Sequence, residues 1–235
     1  MASFILFIFR ILDPCLQDRV LTSGSGTLLR MLNLLFDSLA PRVLMYDSTS
    51  SKPGLVTKNL RAFYMNNNKI SLENIRPVID MVSDAWFVYP LHESLNRHNG
   101  TVFSYYFDHK GEENLIKSMG SNLDLGIGHG EELAYLFNNT MVRIYEGGSE
   151  LDRTISKSMI ELWTNFAIYG NPTPGLEGLN WRPWTRDGHE TLHIGGASDA
   201  GGEDGCLLNV EPDPILARSN FWKSIPVRDN PKFQW

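Results

Sequence analysis

The run Thr101-Val102-Phe103-Ser104-Tyr105-Tyr106-Phe107 restricts the fold more than any other stretch of the chain. β-branched and aromatic side chains favour extended backbone. Here they stand at consecutive rather than alternate positions, so both faces of the strand read as apolar. Such a strand is expected at the centre of a sheet covered on both sides, as in parallel sheets flanked by helices. Asp108-His109-Lys110-Gly111 ends it. Helical patterns lie before and after it, which makes α/β the expected fold class.

The spacing predicts a helix over 27–39, with Leu28, Met31, Leu32, Leu35, Phe36 and Leu39 near helical period and Pro41 after its end. A shorter helix carries Leu55, Leu60 and Phe63, and Asn66-Asn67-Asn68 is a turn. A helical region spans 71–98 with Val78, Met81, Val82, Ala85, Trp86 and Leu91 on its buried side. Pro77 and Pro90 must start, kink or break it, because neither has an N–H to donate. Trp86, Phe87 and Tyr89 read as core. The best-defined helix is 150–169, capped by Ser149 with Asp152 three residues on. Its apolar stripe is Leu151, Ile155, Met159, Leu162, Trp163 and Phe166, and Gly170-Asn171-Pro172 stops it. Thr191–Ile194 is a short strand, 197–205 a glycine-rich loop and 216–222 a short helix.

Composition narrows the function classes. With a net charge of −6 and scattered Lys and Arg, the chain has no electrostatic footprint for nucleic acid. The apolar run Phe4–Phe9 is cut by Arg10 and is too short for a membrane span. It has no basic segment before it and no small-residue cleavage site after it, so no convincing signal peptide is read in this chain. Cys15 and Cys206 cannot make a metal set, and whether they pair is left open. His189 and His193 are four apart, but they lie at a strand entry without a third ligand; no metal site and no cofactor is expected. His92, His98 and His109 read as surface or loop residues. Asn99-Gly100-Thr101 and Asn138-Asn139-Thr140 are N-glycosylation sequons, giving Asn99 and Asn138 as candidate acceptors.

Chemistry concentrates in Gly126-Ile127-Gly128-His129-Gly130-Glu131-Glu132-Leu133. The glycines free the backbone on both sides of His129, and imidazole suits general-base work because it titrates near neutrality. Glu131 and Glu132 fall where a first helical turn favours carboxylates.

Gly128-His129-Gly130-Glu131-Glu132-Leu133 resembles the catalytic-histidine motif of the type-B carboxylesterase family, which includes cholinesterases and insect esterases. The flanking order is similar too. Ser83-Asp84-Ala85-Trp86-Phe87 with Pro90 resembles the family's Ser-Asp helix, and Val102–Asp108 its strand before the histidine loop. Trp163-Thr164-Asn165-Phe166-Ala167 and Gly170-Asn171-Pro172 resemble its late helix, followed by Trp181-Arg182-Pro183-Trp184 and Arg218-Ser219-Asn220-Phe221-Trp222. The likeness runs from about 27 to 222 and is nearest to insect esterases.

That resemblance implies an α/β-hydrolase fold and a Ser–Glu–His triad in which His129 would serve the serine. It also implies a small-molecule carboxylic ester as substrate and secretion. This sequence departs from the pattern at three points, one being that no Gly-rich oxyanion segment precedes the histidine in the expected place. No Gly-x-Ser-x-Gly elbow occurs; Gly196-Ala197-Ser198-Asp199-Ala200 comes nearest but follows His129, in the wrong order. Where the family places its acid, Thr22–Thr27 has no carboxylate, and Asp13 and Asp18 do not match, so no acid is assigned. The expectation is therefore the C-terminal half of the fold: 1–20 unassigned, 21–235 a partial central sheet with flanking helices. Such a chain is expected to be inactive alone and prone to aggregate through uncovered sheet and helix faces. The alternatives are a non-catalytic adhesion or interaction protein and a degenerate fragment.

Overall fold

The computed structural model describes residues 27–71, 73–114, 126–138, 144–175, 178–195 and 208–233. They form two compact units. One contains the described residues up to Ser94 together with those from Ile215 onward; the other runs from Leu95 to Pro214.

The first unit is helical. It holds α1 (Thr27–Val43), α2 (Pro53–Met65), α3 (Ile75–Ser83), the start of α4 (Tyr89–Arg97) and, late in the chain, α8 (Leu216–Ser224). The first helix runs through Pro41 rather than ending before it. Proline here forfeits one bond in the last turn, while Phe36, Ala40 and Leu44 stay in register with the core. On α2 the buried side is Val56, Thr57, Leu60, Tyr64 and Met65, so Leu55 and Phe63, expected on that face, are exposed. Between α3 and α4 lies a π-helical turn, Asp84–Val88, closed by the Tyr89 N–H donating to the Asp84 carbonyl. It ends two residues before Pro90, whose ring would strike the Trp86 carbonyl in a regular α-helix. The extra residue per turn also moves Leu91 off the buried side, where it is exposed.

Asp84 itself is fully buried, beneath Arg218 at 3.1 Å, and accepts from the Tyr64 hydroxyl at 2.5 Å. The Trp222 indole N–H donates to Tyr64 in turn, at 2.7 Å. Burial raises the Asp84 carboxyl to about 6, against the opposing pull of Arg218 and Tyr64. Trp86 and Phe87 are half-buried and Tyr89 buried.

The second unit is the α/β part. Strand β1 (Ser104–Asp108) is followed by α5 (Leu133–Leu136), α6 (Ile144–Gly147), α7 (Glu150–Tyr169), β2 (Glu190–Gly195) and β3 (Leu208–Pro212). The strand order is β1-β2-β3, with β1 and β2 parallel and β2 and β3 antiparallel. In register, Tyr106 lies opposite His193 and Leu192 opposite Val210. The strand β3 is an element the sequence reading did not contain.

β1 differs from its expectation in two ways. It stands at the end of the described sheet, paired on the β2 side. Its faces also differ: Phe103, Tyr105 and Phe107 pack with the α7 core, while Ser104, Tyr106 and Asp108 face the other way. It begins at Ser104 because the preceding backbone is already engaged by the Trp181–Trp184 segment. The Val102 carbonyl accepts from Trp184 N–H at 2.8 Å, and the Ser104 carbonyl from the Trp181 indole at 3.0 Å.

Candidate active site

His129 lies in a backbone turn that precedes α5. The Glu131 N–H donates to the Gly128 carbonyl at 3.2 Å and the Leu133 N–H to the Gly130 carbonyl at 3.2 Å. Gly130 has φ 77°, left-handed backbone that a side chain would strain. The Glu131 side chain closes the same turn from within: its Oε2 accepts from the Gly128 N–H at 2.6 Å. The contact spans three residues, as the carboxylate contact of a capping box does, but it lies in the turn before α5, whose own N-cap is Glu132. Glu131 is buried while His129 is exposed, so residues two apart serve opposite sides of the turn. The sequence reading placed Glu131 and Glu132 together as first-turn carboxylates; only Glu131 is buried, and Glu132 is half-buried.

Behind the turn, Tyr135 is pinned at both ends. Its hydroxyl donates to Asp152 Oδ1 at 2.8 Å, and its carbonyl accepts from Ser156 Oγ at 2.6 Å. Asp152 is fully buried and gathers further partners. His109 Nε2 lies 2.7 Å from Oδ1, and the Ser149 N–H and Oγ reach Oδ2 at 2.8 and 2.9 Å. Burial alone would raise this carboxyl, but His109, Ser149 and Tyr135 together hold it down at about 2. The Tyr135 hydroxyl is pushed up by burial and by the adjacent Asp152. Ser149 and Asp152 thus form the capping box that the sequence predicted, and Asp152 does more than cap. It ties the end of β1, through His109, to α5 and to α7. His109, read from sequence as a surface or loop residue, is buried here; His92 is buried too, in the other unit.

Sequence reasoning missed a row of charge across the sheet. His193 Nδ1 lies 2.8 Å from Glu211 Oε1 on β3, and its Nε2 3.7 Å from Asp108 Oδ2 on β1. Asp108 and Glu211 raise the affinity of His193 for a proton, against partial burial. The signal was unreadable because it depends on β3 and on the strand register. His189, with φ 51°, sits in the turn before β2. Asn99 is exposed in the connection before β1, and Asn138 is exposed after α5, its sequon partners lying outside the described residues. Cys15, Cys206, Gly196–Ala200 and the 1–26 segment, including Asp13 and Asp18, also lie outside them. Among the described residues no helix is long and apolar enough to cross a membrane.

An exposed imidazole on a braced turn can accept a proton from a hydroxyl presented to it, the part a general base plays. Comparison with known proteins places the chain in a family. The carboxylesterase family matches residues 30–204. The chain is 26% identical to juvenile hormone esterase of Tribolium castaneum over 224 residues, covering 86% of this chain and 37% of that protein. It is 24% identical to venom carboxylesterase-6 of Apis mellifera, over 88% of this chain and 36% of that protein. Human bile salt-activated lipase is 28% identical over 51% of this chain and 16% of its own length. The chain thus spans little more than a third of the length of the insect relatives it matches. With three quarters of its residues inside the family match, in one continuous stretch that contains His129, this chain belongs to the carboxylesterase family.

Proposed function

We propose that this chain contributes the general-base histidine, His129, to a serine-dependent carboxylic ester hydrolase. In that reaction His129 takes the proton of a serine hydroxyl as it attacks the ester carbonyl, then returns it to the leaving alcohol. The observation that carries the reading is the geometry of the turn: His129 is exposed while the residue two places on is buried and bonded to the turn's first N–H. Such bracing holds a proton acceptor in one direction, which general-base catalysis requires.

The 235 residues contain no Gly-x-Ser-x-Gly elbow and no carboxylate over 22–27, so in this reading the nucleophile comes from sequence outside them and the acid is unassigned. Alone, the chain is inactive. The substrate is a small-molecule carboxylic ester, in keeping with relatives named as esterases and a lipase. Secretion accords with the venom carboxylesterase among the relatives, and Asn99, exposed in its connecting loop, is then a glycan acceptor, with Asn138 a second.

The test starts at the native transcript. If it extends in frame into a Gly-x-Ser-x-Gly elbow, the extended protein should react with a fluorophosphonate probe and hydrolyse p-nitrophenyl esters. His129→Gln should then lower kcat about 10²–10⁴-fold. If the transcript starts at Met1, or if His129→Gln leaves kcat unchanged, the catalytic reading falls to a non-catalytic interaction protein or a relic.

A further inference from the structure

We infer that Glu131 is the positioning residue of His129, acting through a hydrogen bond rather than through its charge. The inference rests on His129 as the working group and adds what aims it. The family's acid has no counterpart at its usual place, and Glu131 is the carboxylate nearest His129 in sequence. The structure gives that carboxylate a different task. Its Oε2 is committed to the Gly128 N–H at 2.6 Å, so it fixes the backbone one residue before His129. The Gly128 carbonyl accepts from Glu131's own N–H, so Gly128 and Glu131 close on each other twice, with His129 and Gly130 held between. A turn with glycine at positions 128 and 130 has little stiffness of its own. Two bonds across it supply what the glycines remove.

The far end is anchored independently. Tyr135, four residues after Glu131, is held by Asp152 and Ser156 of α7. The backbone from Gly130 to Phe137 is closed by successive turn and helix bonds, from Leu133 N–H to Gly130 O through Phe137 N–H to Leu133 O. Rigidity therefore reaches Glu131 from α7, and the Glu131 side chain carries it the last three residues back across His129. An amide at this position keeps an acceptor oxygen for the Gly128 N–H and loses only the charge, as glutamine does in capping boxes. Hydrogen bond and charge are therefore separable by substitution.

The experiment records the imidazole 1H–13C resonances of the full 235-residue chain, with His129 assigned by its disappearance in His129→Gln. In Glu131→Gln the His129 signal should keep its wild-type position. In Glu131→Ala it should move to the position of an unstructured histidine, while the His109 and His193 signals stay in place. Should Glu131→Ala unfold the chain, Glu131→Asp serves instead: its carboxylate is one methylene short of Gly128, and it should displace the His129 signal alone. The inference is overturned if Glu131→Ala, or Glu131→Asp in its place, leaves His129 unmoved. It is equally overturned if Glu131→Gln displaces the signal as far as the alanine does, because charge would then be the operative property. The readout is ring environment, not hydrolysis. An extended protein without esterase activity would sink the proposed function and leave this result legible.

Discussion

His193 shows how much a single residue's role depends on its neighbours across a sheet. Two carboxylates from two other strands face it, Glu211 from β3 at 2.8 Å and Asp108 from β1 at 3.7 Å. Both favour the charged imidazole, so its folded pKa lies above the ordinary value. The sign follows from linkage: the unfolded chain binds this proton less readily than the folded one. The added stability is complete below the unfolded histidine pKa of about 6.5 and is lost as pH rises through the higher folded value. His193→Gln should therefore flatten the decline of melting temperature between about pH 6 and 8. An unchanged slope in thermal melts across that range would remove the strand clamp from the account. From sequence, His189 and His193 offered only a four-residue spacing, and nothing in it pointed to either carboxylate.

At the scale of elements, α7 was the most legible and still carried a surprise. Its start, its capping box and its Gly170 stop were all readable, the last because Gly170 at φ 66° takes the left-handed cap. Its buried face was not. The stripe read from apolar residues included Leu151 and Phe166, which are exposed, and omitted Asp152 and Ser156, which are fully buried. Hydrophobicity finds apolar faces, whereas α7 buries polar side chains that hold Tyr135. Gly111 provides a direct probe. A Cβ there would collide with the Tyr135 hydroxyl and come within 2.7 Å of Asp152 Oδ1. Gly111→Ala should lower stability by about 1–3 kcal/mol in urea titrations, the usual cost of overpacking. Ser149→Ala, which removes only the cap hydroxyl, should cost about 1 kcal/mol. If Gly111→Ala proves neutral, the polar cluster is looser than its distances imply.

For the molecule as a whole, the apolar surface is the main feature. On α1, Met31, Leu34, Leu35 and Leu39 share one side, and Leu34 is 82% exposed. A stripe of apolar residues three and four apart is what a helix normally buries. Here it lies opposite the face that carries Phe36 and Ala40 into the core. Exposed apolar patches of this kind promote association. Replacing Leu34 with Glu and Met31 with Lys should reduce light scattering and dye binding by the isolated chain without lowering its melting temperature. Equal aggregation in the double variant would place the cause elsewhere.

The sequence by itself determined the class and the family: one strong strand among periodic helices, and an ordered series of motifs around Gly128-His129-Gly130 that local composition is enough to carry. It also determined both ends of α7, because capping acts within a few residues, though not the end of α1, which runs through Pro41. Tertiary structure alone decided that Leu55, Phe63, Leu151 and Phe166 are exposed while Asp152 and Ser156 are buried, that β1 ends the described sheet beside β2, and that β3 exists. It also decided that Asp152, Glu131 and His193 take the partners they do. Those outcomes depend on contacts between residues distant in the chain. His109 and Asp152, for example, are 43 positions apart and 2.7 Å from each other, and no local pattern records such a pair.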